Sequence, residues 1–175
     1  MQGLASIDAR LRTLEDESAI RDVISAYCYH ADSGHDEDLI TLFADEGVLS
    51  SKVAGAYKAA VGTSEIRAQV ADPLGHHRPD LYRHGMHLLG QNLVIRVDGD
   101  TAIASSYSLL LLKRKDALEV YSASSNKWVL RRARTGWKIL ERSRRPLADE
   151  DFDEVLVALE GEVPVEDGPD GGAAH

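Results

Sequence analysis

Apolar residues in the first fifth of the chain recur at helical spacing. Ile20, Val23, Ile24, Tyr27 and Ala31 fall on one stripe, as they do when one face of a helix is buried. The pattern predicts helices over residues 5–14 and 16–32. Asp16 is placed as the N-cap of the second, where a carboxylate meets free backbone N–H groups, and Ser33-Gly34 ends it. Leu39, Leu42 and Phe43 mark a short amphipathic helix over 35–43. The period then falls from 3.6 to 2. A hairpin is expected over 47–53 and 54–61, a capped helix over 64–70, and a loop rich in Pro, Gly and His over 72–80. Four long strands follow, over 87–97, 102–113, 118–132 and 136–144. Asp98-Gly99-Asp100 supplies a strong hairpin turn, and Pro146 stops the last strand ahead of a closing helix over 149–159. Helices leading into a long antiparallel meander describe an α+β fold in which a strongly curved sheet wraps the N-terminal helices. Its open end leaves a cavity for a small molecule.

The length of 175 residues supports one domain with a real core, assigned here to residues 1–160. The net charge of −9 is uneven. Ten acidic residues and no Lys or Arg lie beyond Leu147, and the rest of the chain is close to neutral. The stretch 161–175 therefore reads as an acidic, disordered tail. With no basic surplus to displace phosphate counterions, nucleic acid is not an expected partner. Neither is a membrane, since no apolar run nears the roughly 20 residues needed to span one. The single cysteine, Cys28, and the polar N-terminus fit a cytoplasmic protein.

Asp32 follows the last apolar residue of its helix, one turn after Cys28 and beside the buried stripe. A carboxylate is electrostatically misplaced at a helix C-terminus, so the position asks for a partner. His84 and His87 open the third strand and are candidates to be that partner. A histidine held by a carboxylate makes a ready general base. His76, His77, His84 and His87 invite a metal reading, but no acid or cysteine stands at ligand spacing nearby, and no metal is expected. Tyr29, three residues before Asp32, can face the same cavity. Tyr27 and Tyr107 offer further hydroxyls. Asn92 and Asn126 are polar positions inside apolar strands that a ligand could satisfy, and Trp128 reads as core or pocket wall. Nucleophile-elbow, dinucleotide and phosphate-loop motifs are missing from the sequence, so no cofactor is expected and proton transfer or binding remains. The SLLLLK run (Ser108–Lys113) puts Leu109 and Leu111 on the outer face of the sheet, where a partner copy in a homodimer or homotrimer could cover them.

The segments LEDESAIRDVISAYCYHAD, DEDLITLFADEGVL, VGTSEIR, HLLGQNLVIRVDGDTAIASSY and SNKWVLRRARTGWKILERSRRPL together resemble the nuclear transport factor 2-like superfamily in its SnoaL-like branch, over residues 12–147. The pattern is similar to scytalone dehydratase and related dehydratases, and to the small subunit of ring-hydroxylating dioxygenases. The resemblance implies a cone-shaped α+β barrel and, in its dehydratase members, an Asp at the end of the long helix that orients a proton-abstracting His. Asp32 matches that Asp and His87 that His, with His84 as competitor. The family His often stands four residues before an Asn, whereas Asn92 is five after His87. Either a bulge near Gly90 absorbs the extra residue or the pairing is lost. The implied function is a cofactor-independent lyase or isomerase acting on a small, cyclic, largely apolar metabolite, with Tyr29 or Tyr107 donating to its oxygen. The alternatives are a non-catalytic binding module or oxygenase subunit, and, third, a polyketide cyclase or epoxide hydrolase.

Overall fold

The computed structural model describes residues 6–156 apart from 54, 55, 75 and 91. The acidic tail therefore lies outside the described residues. So does the end of the expected closing helix, of which a 3-10 turn at Phe152–Val155 is seen.

The expected pair of N-terminal helices is one helix, α1 (Ile7–Ser33), capped by the Ser6 hydroxyl, which accepts from the Ala9 N–H at 3.2 Å. Asp16 is not an N-cap. It sits inside α1 and turns its carboxylate to the sheet, where Arg132 donates to both oxygens at 2.6 and 2.7 Å and the Trp137 indole donates at 3.1 Å. With those partners it no longer competes for backbone N–H groups, and nothing between Leu14 and Asp16 breaks the helix. Gly34 ends α1 in the left-handed conformation (φ 69°), its N–H bonding to the His30 carbonyl. The short α2 (Asp36–Thr41) follows.

β1 (Phe43–Val53) and β2 (Ala56–Val61) form the expected hairpin, and α3 (Gly62–Val70) follows. The predicted strand over 87–97 is two strands, β3 (Gly85–Leu89) and β4 (Val94–Asp98). The long β5 (Thr101–Arg114), β6 (Ala117–Ala133) and β7 (Gly136–Pro146) complete the meander. The sheet runs in the order β2-β1-β7-β6-β5-β3, with β4 beside β3 on the same edge of β5. Only the β1–β7 pair is parallel. The sheet curls but does not close.

Surplus residues bend it. Leu89 pairs with Ser108 and Val94 with Ser105, so four residues, 90–93, face two on β5. Tyr121 is an extra residue on β6, since Leu110 pairs with Ser122 and Leu111 with Val120. On β7 the extra residue is Leu140, because Val129 pairs with Glu141 but Leu130 with Ile139. Such bulges bend a strand and sharpen its twist.

The core lies in the concavity, where Ile20, Ile24 and Tyr27 of α1 meet Leu39, Leu49, Ile66, Leu130 and Ile139, all nearly inaccessible. Burying each such side chain stabilises the fold by about 1.5–3 kcal/mol. The outer face of β3, β5 and β6 carries exposed Met86, Leu88, Leu109 and Val120. No helix among the described residues is long and apolar enough to cross a membrane.

Candidate active site

Asp32 stands in the last turn of α1 on the shoulder of its buried stripe. At about 100° per residue, it points toward the mouth of the concavity rather than into the core. β3 passes directly in front. Its alternation puts Met86 and Leu88 outside and His87 inside. Asp32 accepts two hydrogen bonds from this one residue. The backbone N–H of His87 donates to Oδ2 at 2.8 Å, and ring Nδ1 lies 2.5 Å from Oδ1. Both side chains are largely buried, at 14% and 18% exposure. The helix-end carboxylate thus has the partner its position calls for. Because an ionised carboxylate only accepts, Nδ1 is the donor in this contact, and in the neutral imidazole the lone pair is then on Nε2. His87 pairs with Leu110 on the inner face of β5. Because the surplus between Leu89 and Val94 is two residues, the alternation is the same on both sides of it. The contact with Asp32 is made although the spacing from His87 to Asn92 is five.

The pair lines a cavity of about 130 Å³ whose walls include Leu49, Leu81 and Leu110, with His76 and the cationic groups of Lys52, Arg78, Arg142 and Arg144. A wider vestibule of about 680 Å³ adjoins it and shares Lys52, Leu74, Arg78, Tyr121 and Arg144. His76 stacks against His87 with ring centroids 6.1 Å apart. Removal from water, then the electrostatic influence of the neighbouring His87 and the positive charge of Arg142 and Arg144, push its pKa down to about 3, so it is a neutral neighbour at ordinary pH. Burial pushes the Cys28 thiol up to about 12, which leaves it unreactive.

The other sequence-predicted site residues do not reach the cavity. Tyr29 is 73% exposed. It lies about 160° from the centre of the α1 stripe, past Asp32 on the solvent side. Tyr107 points out from β5 and stacks on Phe152 with centroids 5.8 Å apart. His84 is exposed in the turn before β3, and Asn92 is exposed in the bulge, its amide folded over Gly90. Tyr27, Asn126 and Trp128 do point inward, but they are fully buried behind the cavity wall. There they surround Arg142, whose guanidinium lies 4.5 Å from the Tyr27 ring centroid and 5.1 Å from that of Trp128 and donates to Asn126 Oδ1 at 3.2 Å. Three residues expected to touch a ligand instead hold one that lines the cavity.

Sequence reasoning missed His76, Arg142, Arg144 and Tyr121 as cavity residues. Arg142 and Arg144 are two apart on a strand, a visible signal, but the Leu140 bulge decides which way they face. Counting inward from Trp137 and Ile139 in a regular strand selects Glu141, Ser143 and Arg145. Among the described residues, His30, His35 and Asp38 bring potential metal-ligating atoms within 4.8 Å of one another on the surface, away from the cavity.

Residues 12–143 match the model of the SnoaL-like domain. No functionally curated protein matches the chain. Among solved structures, an NTF2-like protein with a cystatin-like fold from Novosphingobium aromaticivorans is 31% identical, covering 89% of this chain and 98% of its own, with a TM-score of 0.76. Two more from that organism share the fold. One is provisionally named a scytalone dehydratase (18% identity, 93% and 97% coverage, TM-score 0.63) and the other an aromatic ring hydroxylase (23%, 78% and 92%, 0.62).

Proposed function

Since the chain belongs to the SnoaL-like domain family of the NTF2-like superfamily, a scaffold that hosts both enzymes and non-catalytic subunits, we propose that it is a cofactor-independent lyase or isomerase of the dehydratase type, in which His87 is the general base and Asp32 positions it. The observation that carries this reading is the double contact of one partly buried carboxylate with the ring and backbone of one histidine beside a cavity. An assembly module has no need to fix a tautomer in a pocket. Epoxide hydrolysis, which wants several carboxylates around one water, is poorly served where Asp32 is the acid lining the cavity.

In the dehydration, Nε2 of His87 takes a proton from the carbon next to an activating carbonyl. The C–H electron pair becomes the new double bond as the C–O bond to the β-hydroxyl breaks. The imidazolium, balanced by Asp32, returns the proton to the departing hydroxyl, which leaves as water. No other reactant is consumed. Proton transfer of this kind contributes about 10² to 10⁴ in rate. In isomerisation the same proton returns to a different carbon.

The test is deuterium uptake from D₂O by a panel of cyclic β-hydroxy ketones and β-hydroxy acids, followed together with the ultraviolet absorbance of the conjugated product. His87→Ala is expected to lower both by about 10² or more while the circular dichroism of the protein stays native. Equal rates in the two proteins would refute the assignment.

A further inference from the structure

Among the described residues the cavity is lined by four cationic side chains, Lys52, Arg78, Arg142 and Arg144, and by one carboxylate, Asp32. Its four cationic side chains fall into two classes. Lys52 is paired with Asp149 at 2.7 Å, and Arg78 with Asp80 at 2.9 Å. Arg142 and Arg144 pair with no carboxylate among the described residues. Arg142 is 3% exposed and its Nε has no hydrogen-bond partner, although the side chain lines the cavity. Its neighbours Asn126, Tyr27 and Trp128 hold it in place without neutralising it. Arg144, two residues on and on the same inner face of β7, donates to the Ser122 hydroxyl at 2.7 Å. Burial, and then the charge of Arg142, push its pKa down to about 10, which still leaves it protonated at neutral pH.

Two guanidiniums on one strand face, mostly out of water and with no carboxylate partner among the described residues, are costly unless an anion meets them. Asp32, the carboxylate lining this cavity, already accepts from both donors of His87. A buried charge of this kind gains most from an anion that arrives with the ligand, and planar guanidinium groups match a carboxylate in shape. The expectation of a largely apolar metabolite fits Leu49, Leu81 and Leu110, but not this end of the pocket.

We propose that Arg142 and Arg144 form an anion subsite that binds the carboxylate of a small cyclic acid and so presents the neighbouring C–H to His87. The substrate class is then a hydroxy or unsaturated cyclic carboxylic acid rather than a neutral metabolite. The inference rests on the cavity being the place where His87 takes its proton, and it also explains how charge developing on substrate oxygen is met during that step.

The probe is benzoate, with benzamide as its neutral counterpart of the same shape, titrated into the full chain and followed by ligand-observed NMR and calorimetry. Benzoate is expected to bind at least about tenfold more tightly than benzamide, as a charge-assisted contact should. Arg144→Gln is expected to remove that preference by weakening benzoate and leaving benzamide unchanged, and Arg144→Lys to restore part of it. Arg142→Gln, checked for native circular dichroism because its side chain packs on Tyr27 and Trp128, should act in the same direction. Benzoate binding no tighter than benzamide would overturn the inference, as would an undiminished preference for benzoate in Arg144→Gln. The two readings fail separately. If deuterium uptake survives in His87→Ala while the benzoate preference holds, the base is wrong and the subsite stands. If uptake needs His87 but benzoate shows no preference, the subsite is wrong and the base stands.

Discussion

Replacing Asp32 by Asn should reverse the tautomer of His87. In the wild-type protein the carboxylate accepts from two donors of one residue, the backbone N–H at 2.8 Å and Nδ1 at 2.5 Å. An amide of the same shape has one acceptor and one donor, so it cannot accept from both. The backbone N–H cannot change character, and it takes the amide oxygen. The amide NH₂ then faces Nδ1, which must offer its lone pair, and the imidazole proton moves to Nε2. The ring keeps its place but loses the free lone pair on the cavity side. Two charge-assisted hydrogen bonds become neutral ones, at a cost of about 1 kcal/mol each. The total of about 2 kcal/mol corresponds to a fall of about 4–8 °C in Tm for a domain of this size. Two-bond ¹H–¹⁵N correlation spectra of the histidine side chains read the tautomer without any substrate. They should show Nδ1–H for His87 in the wild-type protein and Nε2–H in Asp32→Asn, with proton abstraction lowered by about 10² to 10⁴. A wild-type Nε2–H tautomer, or persistence of Nδ1–H in the Asp32→Asn variant, would refute the reasoning.

Three further outcomes are expected. Arg132 and Trp137 hold the Asp16 carboxyl below the usual carboxylate value of 3.8. The stability this pair supplies is therefore complete above that value and is lost as pH falls through the lower folded-state value. Asp16→Asn should cost about 1–3 kcal/mol at neutral pH, and its Tm should fall less than the wild-type Tm on acidification below pH 4. His76, pushed down to about 3 from an ordinary 6.5, takes up a proton in the unfolded state before it does so in the folded one. Stability should decline as pH drops below about 6.5, and His76→Gln should flatten that slope in denaturant titrations. Met86, Leu88, Leu109 and Val120 leave an apolar outer face, so light scattering should give a mass above the 19.1 kDa of one chain. Leu88→Glu should return it to that mass; a wild-type monomer would count against an interface here.

The period of hydrophobic residues was enough to place almost every element, because burial of one helix face or one strand face is what writes that period. It failed where a polar residue took a tertiary partner. Asp16 reads locally as a cap, and its partners Arg132 and Trp137, more than a hundred residues away, are what make it an interior helix residue. Asp32 was legible for the opposite reason. Its helix-end position is poor in local terms, and that misfit pointed to a distant partner. Tyr29 shows the limit of spacing arguments, since three residues from Asp32 can mean the cavity or the solvent according to which side of the stripe is taken. Asn126 and Trp128, expected at the ligand, are fully buried behind the cavity wall, because depth along the sheet is not written in alternation. Arg142 and Arg144 were hidden by Leu140, a surplus residue with no glycine or proline to announce it.

That surplus residue has a consequence for how such a cavity can change. Deleting Leu140 would straighten the strand yet leave Arg142 and Arg144 inside, because the lost residue is the one that occupies no pairing position. Deleting Ser143 instead would carry Arg144 out of phase and turn it toward the solvent. A single codon gained or lost in β7 can thus reset the charge of the cavity wall while every other element keeps its sequence. In this sheet the lengths of strands between bulges, as much as the identity of the side chains, set what chemistry the pocket presents.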